Sequence, residues 1–209
     1  MIETIGVAVF ARAPTPDAAK TRLIPRLGVE GAAALHAALV RRTLIIALAS
    51  SLRPVTLWCT PDLDHPFFAD LCREFGIRLR PQTGGDLGDR MLAAFQAHQP
   101  DPLLLIGTDC PVLSPDHIRR GALDIAAGAD AVFLPAEDGG YALIGLKQPL
   151  EDLFRAMPWG SDAVMAITRE RLAQLGARWT EPAIIWDVDR PEDVDRLSTS
   201  GLLLGLGCP

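Results

Sequence analysis

The stretch Leu103–Pro111, LLLIGTDCP, sets the fold class because it joins an apolar run to a polar turn. Its first four residues show no apolar–polar alternation, which is typical of a strand buried on both faces. Five further short runs share this pattern: Ile5–Phe10, Val55–Cys59, Ala131–Leu134, Tyr141–Leu146 and Ala183–Trp186. Segments with helical spacing lie between or beside them: Val29–Ser51, Leu87–Gln99, Pro115–Ala127 and Asp162–Leu175. Alternating strands and helices predict an α/β fold, with three α/β/α layers around a mostly parallel sheet.

Composition narrows the class of protein. The chain has 209 residues, of which 49% are hydrophobic and 22% charged, so it is not intrinsically disordered. We predict one domain, 1–209, because no Pro/Ser-rich linker divides it. A net charge of −6 argues against a nucleic-acid partner. The longest run free of Asp, Glu, Lys and Arg is 197–209, shorter than the roughly 20 residues of a membrane span.

Cellular location is predicted from the N-terminus and the cysteines. The chain begins Met1-Ile2-Glu3, without the basic segment that opens a signal peptide. Its four cysteines are widely spaced, which favours reduced thiols over a disulfide framework or a zinc site. We therefore expect a cytoplasmic protein.

The first predicted strand is followed by an unusually long and basic loop, Ala11–Leu27. Its charged residues are Arg12, Lys20, Arg22 and Arg26 against Asp17 alone. Ligands of α/β sheets bind at the carboxyl ends of strands, and clustered cations there suit a phosphate chain. A solvated loop with ordinary surface arginines explains the same residues, so both interpretations stay open.

Carboxylates follow two other predicted strands. Asp109 comes just after Leu103–Ile106, where a carboxylate beside substrate phosphates suits Mg²⁺. The alternative is an Asx-type turn before Pro111. Asp187 and Asp189 follow Trp186, but Asp189 also fits the N-cap of a helix. Both aspartates are retained as candidates.

Two glycine-containing segments add candidate contacts. In Pro135–Tyr141, Asp138 precedes Gly-Gly, which indicates either a hairpin turn or a contact to a hydroxylated substrate. In Pro81–Arg90, Gln82 is able to read a base edge and the glycines to admit a flat ring. The alternative there is a flexible turn with an N-cap at Asp86. The four histidines show no metal-type spacing and are expected to be packing or surface residues.

Five motifs together resemble a known family. They are FARAPTPDAAKTRL (Phe10–Leu23), GDLGDRM (Gly85–Met91), GTDCP (Gly107–Pro111), EDGGYALIGL (Glu137–Leu146) and DVDRPED (Asp187–Asp193). In this order they resemble the bacterial rSAM/selenodomain-associated transferase family, described as glycosyltransferase-like. The resemblance covers roughly residues 5–197. It implies the family-A glycosyltransferase fold, that of nucleotide-diphospho-sugar transferases.

The resemblance also implies roles for individual residues. Phosphate-binding positions match Lys20 and Arg22, and a nucleobase-reading loop matches Gln82, Gly84 and Gly88. Arg12 stands where the family often has Lys and is a further nucleotide-binding candidate, and Asp17 stands where the family often has Gly. The metal positions match Asp109 and Asp189. Thr108-Asp109-Cys110 supplies one carboxylate where glycosyltransferases of this fold usually show Asp-x-Asp.

The leading hypothesis is a transferase dependent on Mg²⁺ (or Mn²⁺) that uses a nucleotide sugar and an unidentified acceptor. Lys20 and Arg22 hold the diphosphate in this hypothesis, and Asp138 contacts the acceptor or acts as its base. The alternative is a guanylyl- or cytidylyltransferase-like enzyme that transfers NMP from NTP to a phosphorylated acceptor and releases pyrophosphate. A third hypothesis is a nucleotide-binding module without turnover.

Overall fold

The computed structural model describes residues 4–202, and its centre is one seven-stranded sheet. The strands lie in the order β3-β2-β1-β4-β6-β5-β7, and β6 runs antiparallel to both neighbours while all other pairs are parallel. This confirms the predicted, mostly parallel sheet. The strands are β1 (Gly6–Arg12), β2 (Val55–Thr60), β3 (Arg78–Pro81), β4 (Leu103–Ile106), β5 (Ala131–Pro135), β6 (Tyr141–Leu146) and β7 (Trp179–Thr180).

Helices cover both faces of the sheet, because strand side chains alternate between two apolar clusters. Val7 and Val9 of β1 pack with helices α1, α2 and α4, while Ala8 and Phe10 pack with α3 and α5. Both faces are apolar, so the sheet is buried between two helical layers, as predicted. The helices are α1 (Ile24–Ala49), α2 (Pro66–Phe75), α3 (Leu87–His98), α4 (Pro115–Ala126), α5 (Val164–Gln174) and α6 (Pro191–Thr199).

A third apolar cluster joins the two ends of the chain. Leu23 and Leu39, from the basic loop and α1, pack with Val188, Val194 and Leu197 around α6. This packing brings the residues after Trp186 against the basic loop. It is the contact that assembles the candidate site.

Five elements differ from the sequence predictions. Ala183–Trp186 is not a strand: within it only Ile185 bridges, to Ala136, and Ile184 is 68% exposed at the edge of the sheet. Helix α2 and strands β3 and β7 were not predicted; β3 is a short edge strand rich in charged residues, and β7 has only two residues. Helix α1 starts at Ile24 instead of Val29, with a kink at Gly28, whose φ is 72°.

Residues 21–49, which include helix α1, are long and apolar enough to cross a membrane by length and composition. Leu39, Val40 and Leu44 of this helix are buried against the sheet and neighbouring helices, whereas Ile45 is 51% exposed. A core helix passes the same test of length and composition, so this result is weak evidence for a span.

Candidate functional site

The sheet topology predicts where a ligand binds. Strand β1 lies between β2 and β4, and the chain moves from β1 to β2 but from β4 toward β5 and β6, in opposite directions along the sheet, which opens a crevice at the strands' carboxyl ends. A cleft of about 590 Å³ lies there, lined by residues of the basic loop, the β4 turn and Asp189. The candidate residues of three distant segments therefore meet at one edge of the sheet.

Lys20 occupies the centre of these residues. It adopts a left-handed backbone conformation with φ of 50°, which directs its side chain inward, and the side chain is only 5% exposed. Its ammonium donates a hydrogen bond to the Val188 carbonyl at 2.6 Å. The same nitrogen lies 2.8 Å from Asp109 Oδ1 and 4.0 Å from Asp189 Oδ1. One cation thus links the end of β4 to the segment before α6.

The two linked carboxylates keep access to the cleft. Their side chains are 48% exposed for Asp109 and 36% exposed for Asp189, and Asp189 pairs with the Arg22 guanidinium. Asp109 Oδ1 is buried and forms an ion pair with the Lys20 ammonium, but among residues 4–202 it has no hydrogen-bond donor. The Val188 N–H donates to the Asp109 carbonyl at 2.9 Å, which fixes the two segments together.

Helix α6 is capped by Asp193, whose carboxylate accepts from the N–H groups of Asp189 and Arg190 at 3.0 and 2.7 Å. The prediction that Asp189 caps this helix is therefore wrong. Its carboxylate is left to face the cleft. The predicted N-cap at Asp86 is confirmed, since that side chain accepts from the Asp89 N–H.

Asp187 and Asp138 form a second acidic group beside the first. Burial raises the pKa of Asp187 to about 6; the Asp138 charge adds to the rise and Lys20 opposes it. Asp138 lies in the β5–β6 hairpin, and its Oδ1 accepts from the Gly140 N–H at 2.9 Å. The hairpin interpretation of Pro135–Tyr141 is thus confirmed, and Asp138 stays available to a ligand.

Cations dominate the lining of the cleft, which carries four of them against two carboxylates. Arg12, Lys20 and Arg22 come from the basic loop, and Arg90 comes from the first turns of α3. Arg26 pairs with Asp195 instead and is not among the lining residues. Such a surface is suited to an anion with several charges.

Of the three predicted base-reading residues, only Gln82 lines the cleft. Its side-chain amide donates to the carbonyls of Ala11 and Trp58 at 3.2 and 2.8 Å. Gly84 and Gly88 do not line it. A methyl group on Gly84 would come 2.9 Å from Asp89 Cβ, and one on Gly88 would come 2.8 Å from the Trp159 ring. Their role in reading a base stays a prediction.

Sequence reasoning missed His36, which the structure places on the cleft wall. This α1 residue is 6% exposed, and its Nε2 lies 2.9 Å from the Arg12 carbonyl. Burial lowers the pKa of His36, although the Asp109 charge opposes the effect. The neutral ring is then able to donate from Nε2 and fix the end of β1. Its spacing from Arg12 in the sequence gives no sign of this contact.

Cysteine chemistry is disfavoured at this site. Burial raises the pKa of the Cys110 thiol well above its usual value, and the Asp109 and Asp187 charges raise it further. Cys59, Cys72 and Cys110 are free thiols, while Cys208 lies outside the described residues. A buried thiol held in its protonated form is a poor nucleophile.

Comparisons with known proteins agree on the fold. The crystal structure of a proposed nucleotide-diphospho-sugar transferase from Desulfovibrio desulfuricans G20 superposes with a TM-score of 0.84 at 27% identity, covering 95% of this chain and 89% of that one. A nucleotidyl transferase from Methanothermobacter thermautotroptrophicus gives 0.64 at 17% identity, covering 96% and 99%. Glucosyl-3-phosphoglycerate synthase from Mycobacterium tuberculosis, in complex with Mn²⁺, UDP and glucosyl-3-phosphoglycerate, gives 0.54 at 12% identity, covering 99% and 81%.

The architecture is therefore that of the nucleotide-diphospho-sugar transferases, as the sequence resemblance implied. No curated protein matches the chain by sequence. Residues 43–161 match the family described as "Uncharacterized protein conserved in bacteria (DUF2064)". That match spans more than half of the chain and includes the Asp109 turn and the β5–β6 hairpin. The chain belongs to the DUF2064 family of bacterial proteins, in a nucleotide-diphospho-sugar transferase fold.

Proposed function

We propose that this protein is a metal-dependent transferase that takes its donor group from a nucleotide sugar bound in the cleft. The observation that carries the proposal is the position of Lys20, whose buried ammonium lies between Asp109 and Asp189 at the mouth of a cationic cleft. The fold shared with a proposed nucleotide-diphospho-sugar transferase supports it.

The donor's diphosphate would lie along the cations of the basic loop. Lys20 supplies a fixed point charge, because the Val188 carbonyl and Asp109 hold its ammonium. Arg22 is 67% exposed at the rim, where its guanidinium is able to fork onto phosphate oxygens. These charges favour the diphosphate leaving group as negative charge develops on it.

The carboxylates fit a divalent metal that also binds the donor. Among residues 4–202 no group of three or more His, Cys, Asp or Glu side chains is close enough to hold a metal alone. Two carboxylates with substrate phosphates are nevertheless the usual ligands of Mg²⁺, and Asp109 and Asp189 already share one cation. Bound there, Mg²⁺ or Mn²⁺ would supply charge stabilisation to the leaving diphosphate.

The transfer reaction follows from these positions. An acceptor hydroxyl oxygen forms a bond to the anomeric carbon of the sugar, and the bond from that carbon to the diphosphate oxygen breaks. The nucleoside diphosphate leaves, and the hydroxyl proton passes to a base. Asp138 is the candidate base or acceptor contact, and its charge adds to the burial that raises the pKa of Asp187. We place the reaction in the cytoplasm, in line with the free thiols.

Nucleotidyl transfer is the second candidate, and one observation favours it. The β4 turn supplies a single carboxylate, Asp109, whereas the leading hypothesis expects the usual pair at this strand end. The fold is also shared with a nucleotidyl transferase and a cytidylyltransferase. In this reaction an acceptor phosphate oxygen bonds to the α-phosphorus of NTP, and pyrophosphate leaves.

Phosphorus NMR separates the two reactions without knowledge of the acceptor. The protein is incubated with Mg²⁺ and either a panel of nucleotide sugars or the four NTPs, and water serves as a slow acceptor. Release of nucleoside diphosphate from a nucleotide sugar supports the proposal, and release of pyrophosphate from NTP supports the second candidate. Either release must be lost in Asp109→Asn. Mg²⁺-dependent binding with neither product overturns both in favour of a non-catalytic nucleotide-binding module.

A further inference from the structure

A second, smaller cavity adjoins the cationic cleft. Its volume is about 180 Å³, and Phe10, Leu87, Gly107 and Tyr141 line both spaces. The two cavities therefore share a wall, and the smaller one is called the narrow compartment here. It extends from this wall to Trp159, in the loop before α5.

The narrow compartment differs chemically from the cleft. Its walls are mostly apolar and aromatic, including Met91, Tyr141 and Trp159. Tyr141 and Trp159 contact edge to face, with ring centroids 6.4 Å apart and an interplanar angle of 86°. Among its lining residues, all within 4–202, Asp138 is the one charged side chain. A phosphate group finds no cation there, whereas the cleft offers four.

The volume and the lining of the narrow compartment define which kind of ligand it can hold. A cavity of about 150 Å³ lined by apolar side chains admits a single benzene ring. The narrow compartment is slightly larger, so it has space for one six-membered ring with a small substituent. Asp138 at its lining accepts a hydrogen bond from a hydroxyl or pairs with a cation, and repels an anion.

We infer that the narrow compartment binds the acceptor through an uncharged, ring-sized apolar portion, with a hydroxyl directed toward Asp138. That the bound molecule is the acceptor rests on the proposed function, whereas the binding of an uncharged ring does not.

Gly88 gives the inference a specific structural test. The Trp159 indole lies against this glycine at the start of α3, and a Cβ there would come 2.8 Å from Cζ2, 3.0 Å from Nε1 and 3.0 Å from the Phe154 carbonyl oxygen. Glycine at position 88 therefore allows the indole to form the compartment wall. Replacing it with alanine must displace the ring or shift α3.

The experiment measures ring binding and nucleotide binding separately. Saturation-transfer NMR with benzyl alcohol as the probe reports the compartment, with benzoate as the anionic counterpart. Calorimetry with UDP, GDP, CDP and ADP in the presence of Mg²⁺ reports the cleft. The variants are Gly88→Ala and Trp159→Ala, and Gly121→Ala in α4 is the control because its added methyl makes only ordinary contacts.

We expect benzyl alcohol to bind the wild type at least fivefold more tightly than benzoate. Both compartment variants should weaken benzyl alcohol binding at least fivefold, and in Trp159→Ala the nucleotide affinity should change less than twofold. Gly121→Ala should behave as the wild type in both measurements. A wild type that binds a nucleotide but not benzyl alcohol, or that prefers benzoate, overturns this inference and leaves the proposed function standing. Benzyl alcohol binding without nucleotide binding overturns the proposed function alone.

Discussion

Replacing Lys20 with methionine removes the charge at the centre of the site while keeping a side chain of similar length. The ammonium is nearly fully buried, so its interaction with a bound diphosphate is not screened as a surface pair would be. A hydrogen bond to a charged group contributes about 1.5–3 kcal/mol. At about 1.4 kcal/mol per factor of ten, Lys20→Met should weaken nucleoside diphosphate binding by about tenfold to about 150-fold.

The same substitution should also lower stability. It removes the charged donor of the hydrogen bond to the Val188 carbonyl, a loss of about 1.5–3 kcal/mol. The carboxylates left behind are partly exposed and are solvated by water, which limits the further cost. For a chain of this length we expect the midpoint of thermal unfolding to fall by about 3–12 °C.

Isothermal titration calorimetry with the nucleoside diphosphate that binds the wild type best, in Mg²⁺, measures the effect. Arg26→Ala is the matched control: it removes one positive charge from the same segment, but that guanidinium pairs with Asp195 and is not among the residues lining the cleft. The affinity of the control variant for the nucleoside diphosphate should be within twofold of the wild-type affinity. Equal affinities of Lys20→Met and the wild type would refute the reasoning, because a buried ammonium at the phosphate site cannot be neutral in its effect.

Three further predictions concern a metal, a histidine and a turn. Asp109→Asn should remove most of the gain in nucleotide affinity on adding Mg²⁺, seen by calorimetry with and without EDTA; an undiminished gain would place the metal elsewhere. His36 has a lowered pKa, so the unfolded chain binds its proton first and the wild type loses stability as pH falls below about 6.5. His36→Gln should show a shallower fall in melting temperature from pH 7 to 5, and an unchanged slope would contradict the burial argument. Gly139→Ala should cost about 3 kcal/mol or more in urea unfolding, because φ is 90° and the new methyl would overlap a backbone oxygen before α5. Gly76→Ala, with φ of 63° and open space around it, should cost only about 1–2 kcal/mol, and equal costs would contradict the overlap.

The fold was largely predictable because buried strands have a simple signature. Each apolar run without alternation at β1, β2, β4, β5 and β6 is a strand covered on both faces. This apolar signature does not identify the edge strands of the sheet, because these strands are partly exposed to water. Arg78–Pro81 pairs with β2 although it is mostly polar, and Ala183–Trp186 is apolar but forms only one bridge.

The site was predictable to the extent that strand ends converge at one edge of a parallel sheet. Lys20, Arg22, Asp109 and Asp189 all lie there, but their pairing depends on α6 packing against α1, which no local pattern encodes. The same limit applies to His36, whose partner is a backbone carbonyl. Asp193 took the capping role expected of Asp189 because the helix begins one residue later than the N-cap pattern suggested.

The narrow compartment was also beyond sequence reasoning. Its walls come from β1, α3, β6 and the loop before α5. In the sequence, most of these residues cannot be distinguished from ordinary apolar core residues. The close approach of Trp159 to Gly88 gives this glycine a packing role that the sequence did not indicate. Tertiary packing, not a linear motif, determines the second half of the site.

A crystal structure with the best-binding nucleoside diphosphate and Mn²⁺ is the most direct test, since anomalous scattering locates the metal independently of the protein density. The account predicts an anomalous peak on the carboxylate of Asp109, with the diphosphate against Lys20 and Arg22. A nucleotide bound elsewhere on the molecule, or a metal peak distant from Asp109 with the diphosphate away from Lys20, would contradict it.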